Sequence, residues 1–243
     1  MSAFTKGSIG VGDGVEALHA PDGFLSFPMA AVMWLITLLV LAYAVRQTNR
    51  TLDDRAIPLM GVMAAFIFAA QMFNFQVIGG TSGHLLGGVL AAVLLGPWAG
   101  TLVMACVIAV QGLVFQDGGL VVMGANIFNM GIIGTLGGYA CYRALCRLFG
   151  GEQRARIPAA GIAAWAAVVV ASLAAAVELA LSGTTDLSLA LLAMGGVHGV
   201  IGIGEALITM AALGFIQATR PDLFALRDAR TRLGSTAPAA AAA

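Results

Sequence analysis

Every basic residue of this chain except Lys6 falls into one of three clusters: Arg46, Arg50 and Arg55; Arg143, Arg147, Arg154 and Arg156; Arg220, Arg227, Arg230 and Arg232. Long stretches without a single Lys or Arg separate the clusters. Loops retained in the cytoplasm keep Lys and Arg while translocated loops shed them, so this spacing marks one side of a bilayer that the chain crosses repeatedly. With 60% hydrophobic and 10% charged residues, an ordinary soluble globule is excluded. Glycine is abundant at 32 residues and aromatics are few, which fits closely packed membrane helices better than a barrel of alternating strands. The net charge of zero gives no sign of a nucleic-acid partner.

A helix needs about 20 apolar residues to cross the hydrocarbon. Such stretches are expected at 29–46, 57–77, 98–116, 122–146, 158–182 and 191–217, with a shorter one at 84–96 that stops at Pro97. On hydropathy alone the short piece reads as a re-entrant segment. Counting it as a span puts all three Arg clusters on one side, whereas omitting it strands the loop 143–156 on the other. The expected fold is therefore an all-α integral membrane protein, a seven-transmembrane-helix bundle with its amino terminus outside and its carboxyl terminus cytoplasmic. Residues 1–17 lack the apolar core of a secretory signal, and 218–243 form a cytoplasmic tail expected to be disordered toward its Ala-rich end. Pairs such as Gly83 with Gly87, Gly134 with Gly138 and Ala65 with Ala69 allow helix backbones to approach closely. Cys106, Cys141 and Cys146 have no CxxC spacing and read as small apolar filler.

Two of the three histidines fall on the charge-poor face. His19 stands before a turn and the first span, in Leu18-His19-Ala20-Pro21-Asp22-Gly23-Phe24-Leu25, and His84 closes the Gly-rich connection Gly79-Gly80-Thr81-Ser82-Gly83. Each alone is weak evidence, since a lone histidine is usually a hydrogen-bonded structural residue. Their appearance on the same face, one beside a loop that permits close backbone approach, points to a shared site.

These residues carry a resemblance to a known family. Leu18 to Leu25 is similar to the amino-terminal signature of the CbiM/NikM family, the substrate-binding components of energy-coupling factor (ECF) transporters for cobalt and nickel. Gln71 through Trp98, Asp117 through Met130, and His198-Gly199-Val200-Ile201-Gly202-Ile203-Gly204-Glu205-Ala206 resemble further signatures in the same order, so the likeness runs from about residue 18 to 217. The resemblance implies that nitrogen atoms hold the metal: a free terminal amine, the next residue's amide nitrogen and imidazole, and a second histidine. Carried over, the ligands are His19 and His84, with Leu18 supplying the amine. Tetragonal nitrogen coordination suits Ni(II) and can be imposed on Co(II), while Mg(II) and Ca(II) prefer oxygen. An internal peptide bond before Leu18 would abolish the amine ligand. The expectation is that translation starts at Leu18, its codon read as Met, so that 1–17 is never made. Trimming of the extension, or a substitute ligand such as Asp22 or Asn74, are the alternatives. Asn74, Asn126 and Asn129 are candidates for a second shell around the metal, and Gln71, Gln111, Asn126 and Asn129 either orient His84 or join a hydrogen-bond network with the acids inside the spans.

Glu178, His198 and Glu205 lie within expected spans, where ionisable groups are costly. They form either a proton path or an interhelical hydrogen-bond network, and the network reading is preferred because no chain of closely spaced acids links the two faces. The only lysine, Lys6, is not part of a Gly-Lys-Ser/Thr phosphate loop, so the chain is not expected to be an ATPase. The resemblance implies partners in the plasma membrane: a transmembrane coupling subunit, ABC-type ATPase subunits, a small accessory membrane subunit and the lipid bilayer. No tightly bound cofactor is expected; Co(II) or Ni(II) is the transported substrate. The competing function is a secondary metal transporter driven by protons through Glu178, His198 and Glu205. A membrane enzyme is disfavoured, as neither HExxH nor GxSxG occurs.

Overall fold

The structure is a computed structural model and describes residues 19–51, 56–73, 75–77 and 81–224. Leu18, Asn74, the extension 1–17 and the end of the tail lie outside the described residues. Helix α1 (Phe27–Thr51) and α2 (Ala56–Gln71) are followed by two short strands, β1 (Phe75–Val77) and β2 (Thr81–Gly83), and then by α3 (Gly88–Leu95) and α4 (Pro97–Val114). A continuous rod follows, made of α5 (Met123–Asn126), a π-helical stretch (Ile127–Gly137) and α6 (Gly138–Leu148). Helices α7 (Glu152–Leu181) and α8 (Leu187–Thr219) complete the bundle as a long antiparallel hairpin.

Among the described residues four helices, α1, α4, α7 and α8, are long and apolar enough to cross a membrane. The chain is a membrane protein. Two expected elements differ. The stretch expected as span 57–77 stops as a helix at Gln71, and its remainder pairs antiparallel with 81–83, Gln76 opposite Ser82. The fold is thus predominantly rather than wholly helical. The segment expected as a helix over 84–96 is helical only over 88–95, with 84–87 non-helical before it.

The physical reason for that break is visible in the backbone. Gly87 has φ +81°, a left-handed conformation that L side chains rarely adopt, so the helix cannot extend backwards through it. Every residue of α3 is buried, enclosed by α4, the π stretch, α6 and α7. Non-helical backbone at membrane depth is tolerated where protein rather than lipid surrounds it. Close approach depends on small residues: a Cβ on Gly88 would fall 2.7 Å from the Gly134 carbonyl carbon in the π stretch. In lipid the gain from such packing is dispersion and interhelical bonding rather than the hydrophobic effect.

The arginine end of the bundle is tied together separately. Tyr142 donates to Glu152 Oε1 at 2.8 Å, Arg143 pairs with Glu152 Oε2 at 2.8 Å, and the Arg156 guanidinium lies 4.1 Å from the Phe224 ring centre. At the opposite end, Asp186 caps α8 by accepting from the backbone N–H groups of Ser188 and Leu189, and the Thr184 hydroxyl donates to the Phe24 carbonyl.

Candidate functional site

The segment His19-Ala20-Pro21-Asp22 is anchored against the connection between α4 and α5. Ala20 N–H donates to Asn126 Oδ1 at 3.3 Å, while Asn126 Nδ2 and Gly119 N–H donate to the Ala20 carbonyl at 3.1 and 3.0 Å. The Asp22 carboxylate accepts from the N–H groups of Leu120, Val121 and Val122 at 3.1, 2.9 and 3.2 Å. Asp22 is therefore an anchor rather than the substitute ligand considered from sequence. Gly118 has φ +101°, and a Cβ there would lie 2.7 Å from the His19 Cβ, so glycine is what lets this connection pass the histidine.

His19 is buried, with Nδ1 3.2 Å from Asp117 Oδ1. The contact is within ion-pair reach but its angles fall short of a hydrogen bond, and Nε2 is buried with no hydrogen-bond partner among the described residues. A buried imidazole nitrogen without a partner is costly, which makes it a candidate for a ligand that the protein does not supply. Asp117 was missed as a functional residue in the sequence. The available signal was Asp117-Gly118-Gly119, an acid and two glycines on the same charge-poor face as His19.

The segment bearing His84 is held by α8 and α2, with α4 bracing α2. His84 Nδ1 lies 2.8 Å from the Leu85 carbonyl oxygen, a contact that fixes the orientation of the ring. Leu86 and Gly87 donate their N–H groups to the two oxygens of Glu205 on α8 at 2.6 and 2.9 Å. Gln71 of α2 donates to the Leu86 carbonyl at 2.8 Å, and Gln111 of α4 donates to Gln71 at 2.9 Å. Of the four amides considered from sequence for this role, Gln71 bonds the segment that carries His84 and Gln111 bonds Gln71. Glu205 belongs to the same network, and its carboxylate complements the positive amino end of α3.

These two anchored segments bring the imidazoles of His19 and His84 together, with ring centres 5.5 Å apart and planes inclined by 50°. Both rings line a cavity of about 330 Å³ that is also lined by Asn126, Asn129, Glu178 and His198. Asn129 Nδ2 donates to Glu178 Oε2 at 2.9 Å, so Asn129 serves Glu178, and Asn126 serves the His19 segment. His198 donates from Nδ1 to the Met194 carbonyl at 2.9 Å. Among the described residues no group of three or more His, Cys, Asp or Glu side chains is placed to hold a metal, so the nitrogen pair is not a full side-chain shell.

Residues 19–223 match the family described as the cobalt uptake substrate-specific transmembrane region, CbiM. The chain belongs to the CbiM family. It is 39% identical over 218 residues to a putative fused nickel transport protein, NikMN, of Archaeoglobus fulgidus, covering 89% of this chain and 71% of that protein. It is 40% identical over 208 residues to a putative metal transport protein of Haloquadratum walsbyi, covering 85% of this chain and 93% of that protein. The crystal structure of a truncated transition metal transporter superposes with a TM-score of 0.75 at 33% identity, over 82% of this chain and 98% of that one. The CbiM match begins at His19 and takes in His84, His198, Glu178 and Glu205, so all the cavity-lining and clamp residues fall within the family region.

Proposed function

We propose that this CbiM-family chain is the substrate-capture component of an ECF-type importer for a divalent transition metal, cobalt or nickel. It binds the ion at the outer face and releases it inward when coupled to a separate ATPase module. In this reading the chain sits in the plasma membrane with seven crossings, the non-helical piece 84–87 and α3 together forming the third. The amino terminus lies outside and the Arg clusters face the cytoplasm.

The observation that carries the proposal is the 5.5 Å separation of the His19 and His84 ring centres. A metal about 2.0 Å from one nitrogen of each ring would put the centres roughly 4.5 Å apart for cis ligands and roughly 6.4 Å apart for trans ligands. The separation falls between these limits. The buried Nε2 of His19, without a hydrogen-bond partner among the described residues, supports the same reading. The chelate implied by the family resemblance would use His19 Nδ1 and a free amine on Leu18. That mode requires residues 1–17 to be missing from the mature chain and Asp117 to yield the Nδ1 it now faces. Mass spectrometry of the purified protein's amino terminus tests it, and an intact Met1 or Ser2 end excludes it.

The partners are a transmembrane coupling subunit, ATPase subunits and a small accessory membrane protein. The exposed α2 face carrying Val62, Ala65, Phe66 and Ala69 supports a docking surface for the coupling subunit. The proton-coupled alternative finds less support. Both oxygens of Glu205 are engaged by backbone N–H groups, and His198 Nδ1 is spent on its own helix. Metal uptake that persists on ATP depletion but collapses with the proton gradient would favour that alternative.

The central test is His84→Ala in the full chain, purified in detergent. Ni(II) binding by calorimetry should be lost while membrane insertion and elution volume are retained. Undiminished binding would overturn the assignment of the site.

A further inference from the structure

The cavity of about 330 Å³ has room for an ion together with several waters. Cobalt and nickel dications reach a protein as hexahydrates, so the space suits an ion that still carries its water. Among the described residues lining it, Glu178 is the one carboxylate. The histidines are neutral when poised to donate lone pairs, so they exert little long-range pull on a cation.

Glu178 lies one turn before the end of α7 at Leu181, at the end of the bundle opposite the arginine clusters. Its side chain is nearly buried, at 7% exposure, yet only half satisfied: Oε2 accepts from Asn129, and Oε1 has no hydrogen bond among the described residues. A carboxylate kept only to tie helices together would be expected to use both oxygens, as Glu205 does. Asn129 fixes the direction in which the other oxygen is presented.

We propose that Glu178 is a vestibule site for the hydrated divalent cation, holding it through metal-bound water before the histidines displace that water. The contact is outer-sphere: Oε1 accepts hydrogen bonds from water on the metal, and no bond to the metal forms or breaks there. Ligand exchange follows when the ion moves to His19 and His84. The proposal rests on the two-histidine reading, but it makes a separate kinetic claim, because a vestibule charge acts on arrival whereas the final ligands govern escape.

The test is stopped-flow binding of Ni(II) to the full-length protein in detergent, followed by competition with a chromophoric chelator, for wild type, Glu178→Gln and Glu178→Asp. Glu178→Gln keeps the shape and the Asn129 contact and removes the charge. It should lower the association rate about tenfold and flatten its dependence on ionic strength, with the dissociation rate unchanged. Glu178→Asp, which keeps the charge on a shorter stem, should recover most of the rate and shows that a poor Glu178→Gln result is not misfolding. An association rate equal to wild type in Glu178→Gln, or an effect confined to dissociation, overturns the vestibule. Tight Ni(II) binding by His84→Ala would instead overturn the two-histidine reading, and the Glu178→Gln association rate would still decide the vestibule.

Discussion

Two glutamates sit in the paired helices α7 and α8, and they are satisfied to different degrees. Glu205 is buried to 2% exposure, and each of its oxygens accepts a backbone N–H from the segment that carries His84. Glu178 has one side-chain donor on one oxygen and lines the cavity. The first arrangement is a clamp, since a carboxylate with both oxygens engaged is fixed by the groups it fixes. The second leaves one oxygen without a hydrogen bond among the described residues. Burial alone does not distinguish the two acids; the number and kind of their partners does.

The most forceful way to break this contrast is to remove the clamp. Glu205→Ala orphans two buried N–H donors, at about 1–3 kcal/mol each, so it should destabilise the protein by about 2–6 kcal/mol and weaken Ni(II) binding through the loosened His84 segment. Thermal melts in detergent, paired with calorimetry, check both. A melt matching wild type would mean that Glu205 is not a clamp. Glu178→Ala frees only the Asn129 amide and should move the melt by less than Glu205→Ala does.

A smaller effect is expected at the other anchor. Asn126→Ala removes the two-way amide contact with Ala20 and should weaken Ni(II) binding roughly tenfold, the lower end of what losing a partner of a metal-site residue costs, with little change in the melt. A full-strength titration in this variant would show that the hydrogen bonds from Gly119 and to Asp22 suffice to hold His19.

The smallest effect lies far from either glutamate. Hydrogen bonds from Ser188 and Leu189 hold the exposed Asp186 carboxyl below its ordinary value. A lowered folded value means a contribution to stability that is present above the ordinary aspartate range near pH 4 and is lost as pH falls through the lowered value. Asp186→Ala should therefore lower the melt slightly at neutral pH and not at all in strong acid, as melts across that range would show.

Much of the scaffold was legible in the sequence. The hairpin expected at 158–182 and 191–217 is found at Glu152–Leu181 and Leu187–Thr219, because long uncharged runs bounded by arginines leave little freedom in where a membrane helix begins and ends. The pairing of His19 with His84 was also anticipated, from their shared position relative to the charge clusters. The end of α2, the non-helical piece before α3 and the π-helical stretch were not. Hydropathy weighs composition, and an apolar residue scores alike in a helix, in a hairpin or beside a carboxylate that captures its N–H. Asp117, and the anchoring roles of Asp22 and Asn126, were hidden for a related reason: their partners lie about a hundred residues away along the chain.

By itself, the amino-acid order determined that the chain enters a bilayer, which ends of its helices gather the arginines, and which face carries His19 and His84. Those outcomes follow from transfer energies summed along a segment, which need no knowledge of neighbours. Only the tertiary structure decided that Glu205 is consumed by the His84 segment while Glu178 lines the cavity with one oxygen bonded by Asn129, and that the two imidazoles stand 5.5 Å apart. Hydrogen bonds and coordination act over about 3 Å between specific atoms, and such distances exist only once remote segments have packed.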